Sequence, residues 1–132
     1  MNDGMVIRTE QLSARVGVSY RRLDRWCRMG VLRFSTEKPR AGRPGPMPGS
    51  GSRRLFSPQE QRVTAFVLRL SDLGADTAVL WVAAGNVRAR QSWHGFVAVT
   101  PDGALHDQPY AGFEAGWVVD LAACDAVVAR AA

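Results

Sequence analysis

Val18-Ser19-Tyr20-Arg21-Arg22-Leu23-Asp24-Arg25-Trp26-Cys27-Arg28-Met29-Gly30 is the stretch from which the fold of this 132-residue chain is read. Ser19 is suited to cap a helix through its hydroxyl, and Gly30 to stop one in the left-handed conformation. At about 100° per residue, Leu23, Trp26 and Cys27 gather on one side of that helix. Arg21, Arg25 and Arg28 gather on the other, with Arg22 at the flank. The pattern predicts a core face opposed by a guanidinium stripe. A charge run is most often a solvated face, but the segments on either side favour a stripe that meets an anion.

Upstream, Met5-Val6-Ile7-Arg8 is a short apolar run, and Thr9 is placed to cap a helix from Glu10 to Val16 with Leu12 and Val16 facing inward. Gly17 breaks it and Ser19 starts the next, the spacing of a helix-turn-helix. A purely structural pair of helices would leave the arginines of the second unexplained. Downstream, Val31-Leu32-Arg33-Phe34 alternates weakly and predicts a short strand. Residues 35–52 hold Pro39, Gly42, Pro44, Gly45, Pro46, Pro48, Gly49 and Gly51, a density of breakers that predicts a flexible loop. Arg53-Arg54-Leu55-Phe56 resumes an extended pattern, so the whole reads as a two-stranded wing whose tip carries Lys38, Arg40 and Arg43. Ser57-Pro58-Gln59-Glu60 is a strong helix start: Ser57 caps, Pro58 takes the first position, and Glu60 is placed to return a bond to the Ser57 amide. Val63, Phe66, Val67 and Leu70 then give one apolar face to about Leu73, and Gly74 ends it. Asp76 caps a further helix through Val79, Leu80, Val82 and Ala83, with Gly85-Asn86 as its expected end and Val87 to Gln91 as a possible extension.

Charge divides the chain sharply. Sixteen of the 17 basic residues precede residue 91, against seven of the 12 acidic ones, a net +9; the remainder carries −4. An ordered, basic, amphipathic block points to a polyanion, with nucleic acid first. All but Lys38 are arginine, which suits bidentate phosphate and guanine contacts but equally reflects codon bias.

These elements, in this order, resemble the MerR superfamily and its small excisionase-like relatives. The residues that carry the likeness are Leu12-Ser13-Ala14, Gly17-Val18-Ser19, Leu23, Arg25-Trp26, Gly30-Val31-Leu32, Arg53-Arg54-Leu55-Phe56-Ser57 and Leu73-Gly74, within about residues 6–84. The resemblance implies a MerR-like winged helix-turn-helix; with a small α/β extension read from the residues beyond it, the chain is expected to be an α+β fold. Residues 1–90 would form the DNA-binding part and 91–132 the extension. It further implies a transcriptional regulator of double-stranded DNA whose recognition helix, 19–29, enters the major groove. Tyr20, Arg21 and Arg25 would then meet bases or phosphates, and the wing arginine Arg54 the flanking backbone or minor groove. Ser19, Arg22, Arg28, Lys38, Arg40, Arg43 and Arg53 complete the expected DNA-binding set. Asp24 stands where regulators of this family carry arginine, which removes one phosphate contact and leaves a carboxylate to orient Arg28 or Arg21. Arg25-Trp26 leans towards the excisionase branch, which bends DNA in recombination. From another class, the arginine face would serve a protein-interaction module with an acidic partner.

Beyond Trp93 the pattern changes. His94 to Thr100 predicts a strand, Pro101-Asp102-Gly103 a turn, Ala104-Leu105 the start of a return strand, Trp117 to Leu121 another strand, and Ala122 to Ala131 a closing helix. Pro109 to Gly116 reads as a loop. About 40 residues are at the lower limit for independent folding. Phe96, Val97, Val99, Trp117 and Val119 are therefore expected to bury against the basic part or a second copy. Family regulators dimerise through a long helix; no sustained heptad follows Gly85, so the extension is the expected homodimer surface.

No segment has the roughly 18–20 continuous apolar residues of a membrane span, and Met1 to Gly4 lacks a signal-peptide layout, so a cytoplasmic protein is expected. Cys27 and Cys124 have neither metal nor disulfide spacing and read as buried, inert thiols. His106-Asp107 lies beside no nucleophile motif, and no Gly-rich phosphate loop, paired carboxylates or metal cluster is seen. The expectation is no enzyme, no cofactor, no metal and no evident small-molecule effector.

Overall fold

Ser57 opens the longest described helix: its Oγ accepts the Glu60 amide at 3.2 Å and Pro58 takes the first helical position. The computed structural model describes residues 5–36, 53–107 and 115–130. The wing tip with Lys38, Arg40 and Arg43 therefore lies outside the described residues, as does most of the loop expected at Pro109 to Gly116. The described chain runs β1 (Ile7–Arg8), α1 (Thr9–Val16), α2 (Tyr20–Arg28), β2 (Ser35–Thr36), β3 (Arg54–Phe56), α3 (Pro58–Asp72), α4 (Thr77–Arg88), β4 (Phe96–Val99), β5 (Leu105–His106), β6 (Trp117–Asp120) and α5 (Leu121–Arg130). It is an α+β arrangement, with two antiparallel three-stranded sheets ordered β1-β3-β2 and β5-β4-β6.

Helix α3 is more central than one apolar stripe requires. Val63, Phe66, Val67 and Leu70 are fully buried, and so are Gln61 and Thr64 on the same helix. Both of these polar side chains have partners, as burial demands. Gln61 Nε2 donates to the carbonyls of Met5 and Phe56 at 2.8 and 3.0 Å, its Oε1 accepts from Arg15 Nη1 at 2.8 Å, and Thr64 Oγ1 donates to the Glu60 carbonyl. One amide side chain thus ties α1, the start of β1 and the end of β3 to α3.

Four local expectations are corrected. Thr9 is the first residue of α1 and is buried; Arg8 occupies the cap position, and its amide donates to Gln11 Oε1 at 2.9 Å. Ile7-Arg8 pairs with Leu55-Phe56, so the expected two-stranded wing has a third strand. Val31-Leu32 is not a strand: both amides turn back to the Trp26 carbonyl, at 2.9 and 3.3 Å, to close α2 behind the left-handed Gly30. Pairing begins only at Ser35. Finally, Gly85-Asn86 lies inside α4, which continues to Arg88.

The extension shares its core with the rest of the chain: Val97, Val99, Val119, Leu121 and Cys124 join the same apolar cluster as Leu23, Phe66 and Leu80. Asn86 Nδ2 on α4 donates to the Gly103 carbonyl at 3.0 Å, and Trp117 Nε1 donates to the Leu73 carbonyl at 3.0 Å. A Cβ on Gly103 would sit 2.6 Å from Val82 Cβ, so the β4–β5 turn lies on α4 only because that side chain is missing. Arg62 on α3 is ion-paired with Asp125 on α5. Phe96 is the exception among the residues expected to be buried, at 56 % exposure. The register Phe96↔Asp120 and Val97↔Val119 explains it. Strand parity turns Val97, Val99 and Val119 inward and leaves Phe96 and Val118 on the outer face. No helix among the described residues is long and apolar enough to cross a membrane.

Candidate nucleic-acid interface

Helix α2 is fixed at both ends and along one face. Ser19 Oγ accepts the Arg22 amide at 3.2 Å, and the Gly17 and Val18 amides close α1 onto the Ser13 carbonyl. Leu23, Trp26 and Cys27 are buried, as the periodicity predicts. Tyr20, Arg21, Arg25 and Arg28 are exposed on the opposite side.

The arginines of the expected set have different surroundings. Arg21 and Arg25 form no ion pair with any described residue. Arg28 Nε donates to Asp24 Oδ2 at 2.8 Å, the i+4 alternative for Asp24. Arg22 Nη2 reaches Ser71 Oγ at 3.0 Å and Asp72 Oδ1 at 3.3 Å, while its guanidinium lies 5.1 Å from the Trp26 ring. It therefore braces α2 on the end of α3. Arg53 is exposed immediately before β3.

Arg54 is turned inward. Its side chain is 11 % exposed, its Nη1 donates to Asp24 Oδ1 at 2.7 Å, and its guanidinium lies 4.9 Å from the Phe34 ring. Phe34 in turn packs on Phe56 with ring centroids 6.3 Å apart. Asp24, read as a missing phosphate contact, is thus the link between α2 and β3. The Arg54 and Arg28 guanidinium groups bonded to it hold its carboxyl below the usual 3.8. A depressed folded pKa means the link contributes fully above that value and is lost only as the pH falls through the lowered one.

A second link was hidden from local sequence pattern. The Glu60 carboxylate does not return to Ser57. Its Oε1 accepts the Arg33 amide at 2.7 Å and Arg88 Nη2 at 2.7 Å, and its Oε2 accepts Arg88 Nε at 2.9 Å. Arg88 Nη2 also donates to the Val31 carbonyl at 2.9 Å. The segment leaving α2 is therefore clamped between α3 and α4. Only the pairing of buried acid and buried base could have signalled it, and they stand 28 residues apart.

Both cysteines are free and buried. Burial pushes the Cys27 thiol up to about 11 and that of Cys124 up to about 12, so both remain protonated and unreactive at neutral pH. No group of three or more metal-ligating side chains occurs among the described residues. Compared with known proteins, the chain matches no family model, no curated protein and no solved structure.

Proposed function

We propose that this chain is a sequence-specific double-stranded DNA-binding regulator of transcription, a winged helix-turn-helix of the MerR-like kind. Helix α2 would lie in the major groove, with β2 and β3 on the flanking backbone. The observation that carries this reading is the pair Arg21 and Arg25, exposed beside Tyr20 and without counter-ions among the described residues. A rigid helix that presents uncompensated guanidinium groups is suited to phosphate oxygens and the O6/N7 edge of guanine. Ser19, Arg22 and Arg54 serve the frame in this reading: they set the angle of α2 and need not touch DNA. Arg28 gives only its Nε to Asp24 and keeps both Nη groups for an anion.

Titration of duplex DNA with increasing salt tests it. Each phosphate contact predicts a log–log slope of about −0.9, so several contacts give a steep line. Absence of binding to any duplex at low salt would overturn the proposal and favour an acidic protein partner for the same face.

A two-fold operator needs a second copy, and we assign that contact to the outer face of the β5-β4-β6 sheet. Phe96 at 56 % and Val118 at 39 % exposure place two large apolar side chains there. Phe96→Asp should shift the sedimentation of the full chain from dimer to monomer while its helical circular dichroism is kept. An unchanged dimer would place the contact elsewhere.

A further inference from the structure

Asp24 lies at the edge of the arginine face of α2. At about 100° per residue it is about 40° round the helix from Arg28 and about 60° from Arg21. Both of its oxygens are engaged: Oδ1 accepts Arg54 Nη1 at 2.7 Å and Oδ2 accepts Arg28 Nε at 2.8 Å. Those two guanidinium groups hold its carboxyl below the usual 3.8, so it is fully charged at neutral pH.

The two bonds do different things. Arg54 is turned inward at 11 % exposure, and a buried guanidinium needs a counter-charge, which Oδ1 supplies. Arg28 is 59 % exposed, and an exposed ion pair adds little stability. The effect of the second bond is therefore on charge and direction: one carboxylate serves two arginines, and Arg28 is steered by its Nε. Phosphates attract a basic helix whatever the sequence, and contacts to them carry no sequence information. A fixed negative charge among the arginines weakens that indiscriminate attraction and leaves Arg21 and Arg25, which have no ion pair among the described residues, to reach base edges. Discrimination rises when the wrong complex is penalised as well as when the right one is favoured.

We propose that Asp24 is a specificity-determining residue of the α2 face: its carboxylate, shared by Arg28 and Arg54, lowers sequence-independent attachment to duplex DNA and so sharpens the choice of site. The inference rests on the DNA-binding reading of the same face. It assigns Asp24 a positioning role, exerted through the two arginines and not by touching a base.

Fluorescence anisotropy with a mixed-sequence duplex measures the indiscriminate part of binding and needs no known operator. Asp24→Asn keeps an oxygen for Arg54 and removes the charge, so it should bind this duplex more tightly at low salt. One further phosphate contact steepens the log–log slope by about 0.9, so the advantage over the parent should shrink about three- to fourfold between about 50 and 200 mM salt. Asp24→Glu, which keeps the charge, should hold the parental slope, and Asp24→Asn/Arg28→Gln should return to it. Asp107→Asn removes the same charge beside Arg90 in the extension and should leave the slope unchanged. Melting curves confirm that each variant is folded, and Asp24→Gln repeats the measurement with a second neutral side chain. In selection from a random duplex pool, the parent should enrich a narrower set of sequences than Asp24→Asn. A parental slope in Asp24→Asn, equal steepening in Asp107→Asn, or equally narrow enrichment by Asp24→Asn would each overturn the proposal while leaving the DNA-binding reading in place. A parent that binds no duplex at low salt would remove both.

Discussion

Replacing Arg88 with methionine should cost about 3–5 kcal/mol of stability, the range for a buried ion pair stripped of one partner. The Glu60 side chain is 6 % exposed and that of Arg88 14 %, so neither can turn to water when the other is lost. In Arg88→Met the Glu60 carboxylate keeps one donor from outside its own helix, the Arg33 amide, and the Val31 carbonyl loses its guanidinium partner. Urea denaturation at neutral pH reads the loss. The double variant Glu60→Met/Arg88→Met should recover part of the loss, because removing both charges avoids the desolvation cost. A single variant within about 1 kcal/mol of the parent at neutral pH, well below the buried-pair range, would mean that the clamp is open to solvent.

That clamp also marks where sequence reading stops. Local rules located α2, α3, the start of α4 and both strands of the β4–β6 pair, because capping side chains, left-handed glycines and periodic apolar faces act within a few residues. Ser19, Ser57 and Asp76 each cap the helix that follows. The same rules failed where a backbone group found a more distant partner. Val31-Leu32 has strand-like composition, but its amides are taken by the Trp26 carbonyl. Glu60 has the spacing of a capping box, but the buried Arg88 guanidinium outbids the Ser57 amide for its charge. Phe96 looked like core because composition does not reveal strand parity; the pairing with Asp120 does.

The candidate interface divides in the same way. Which arginines share a face of α2 follows from the helical repeat alone. Which of them are already engaged depends on partners 30 residues away for Arg54 and 49 for Arg22. Asp24 illustrates the difference. As a sequence departure it subtracts a positive charge from the stripe; in three dimensions it joins α2 to β3 and withdraws Arg54 from the surface. The face therefore narrows from a row of arginines to Tyr20, Arg21 and Arg25, with Arg28 partly neutralised by its Nε bond to Asp24.

On a specific operator, Arg21→Ala/Arg25→Ala should then abolish most of the discrimination between sites. A bidentate guanidinium–guanine contact contributes about 1–3 kcal/mol against the wrong base. Two such contacts, additive if they address separate base pairs, amount to about 2–6 kcal/mol, or roughly thirtyfold to twenty-thousandfold in affinity. The folded state should barely change, because both side chains are exposed and neither bonds a described residue. Competition binding against specific and scrambled duplexes separates the possible roles. Loss confined to the specific duplex assigns the pair to base edges. A uniform loss, accompanied by a salt dependence shallower by about 0.9 per arginine, assigns it to phosphates. Arg22→Ala provides the contrast: its guanidinium is spent on Ser71, Asp72 and the Trp26 ring, so its removal should lower the melting temperature more than it changes sequence preference. If instead Arg22→Ala alters preference while the Arg21 and Arg25 variants leave both duplexes bound as before, α2 is rolled in the groove relative to the orientation that its buried face dictates.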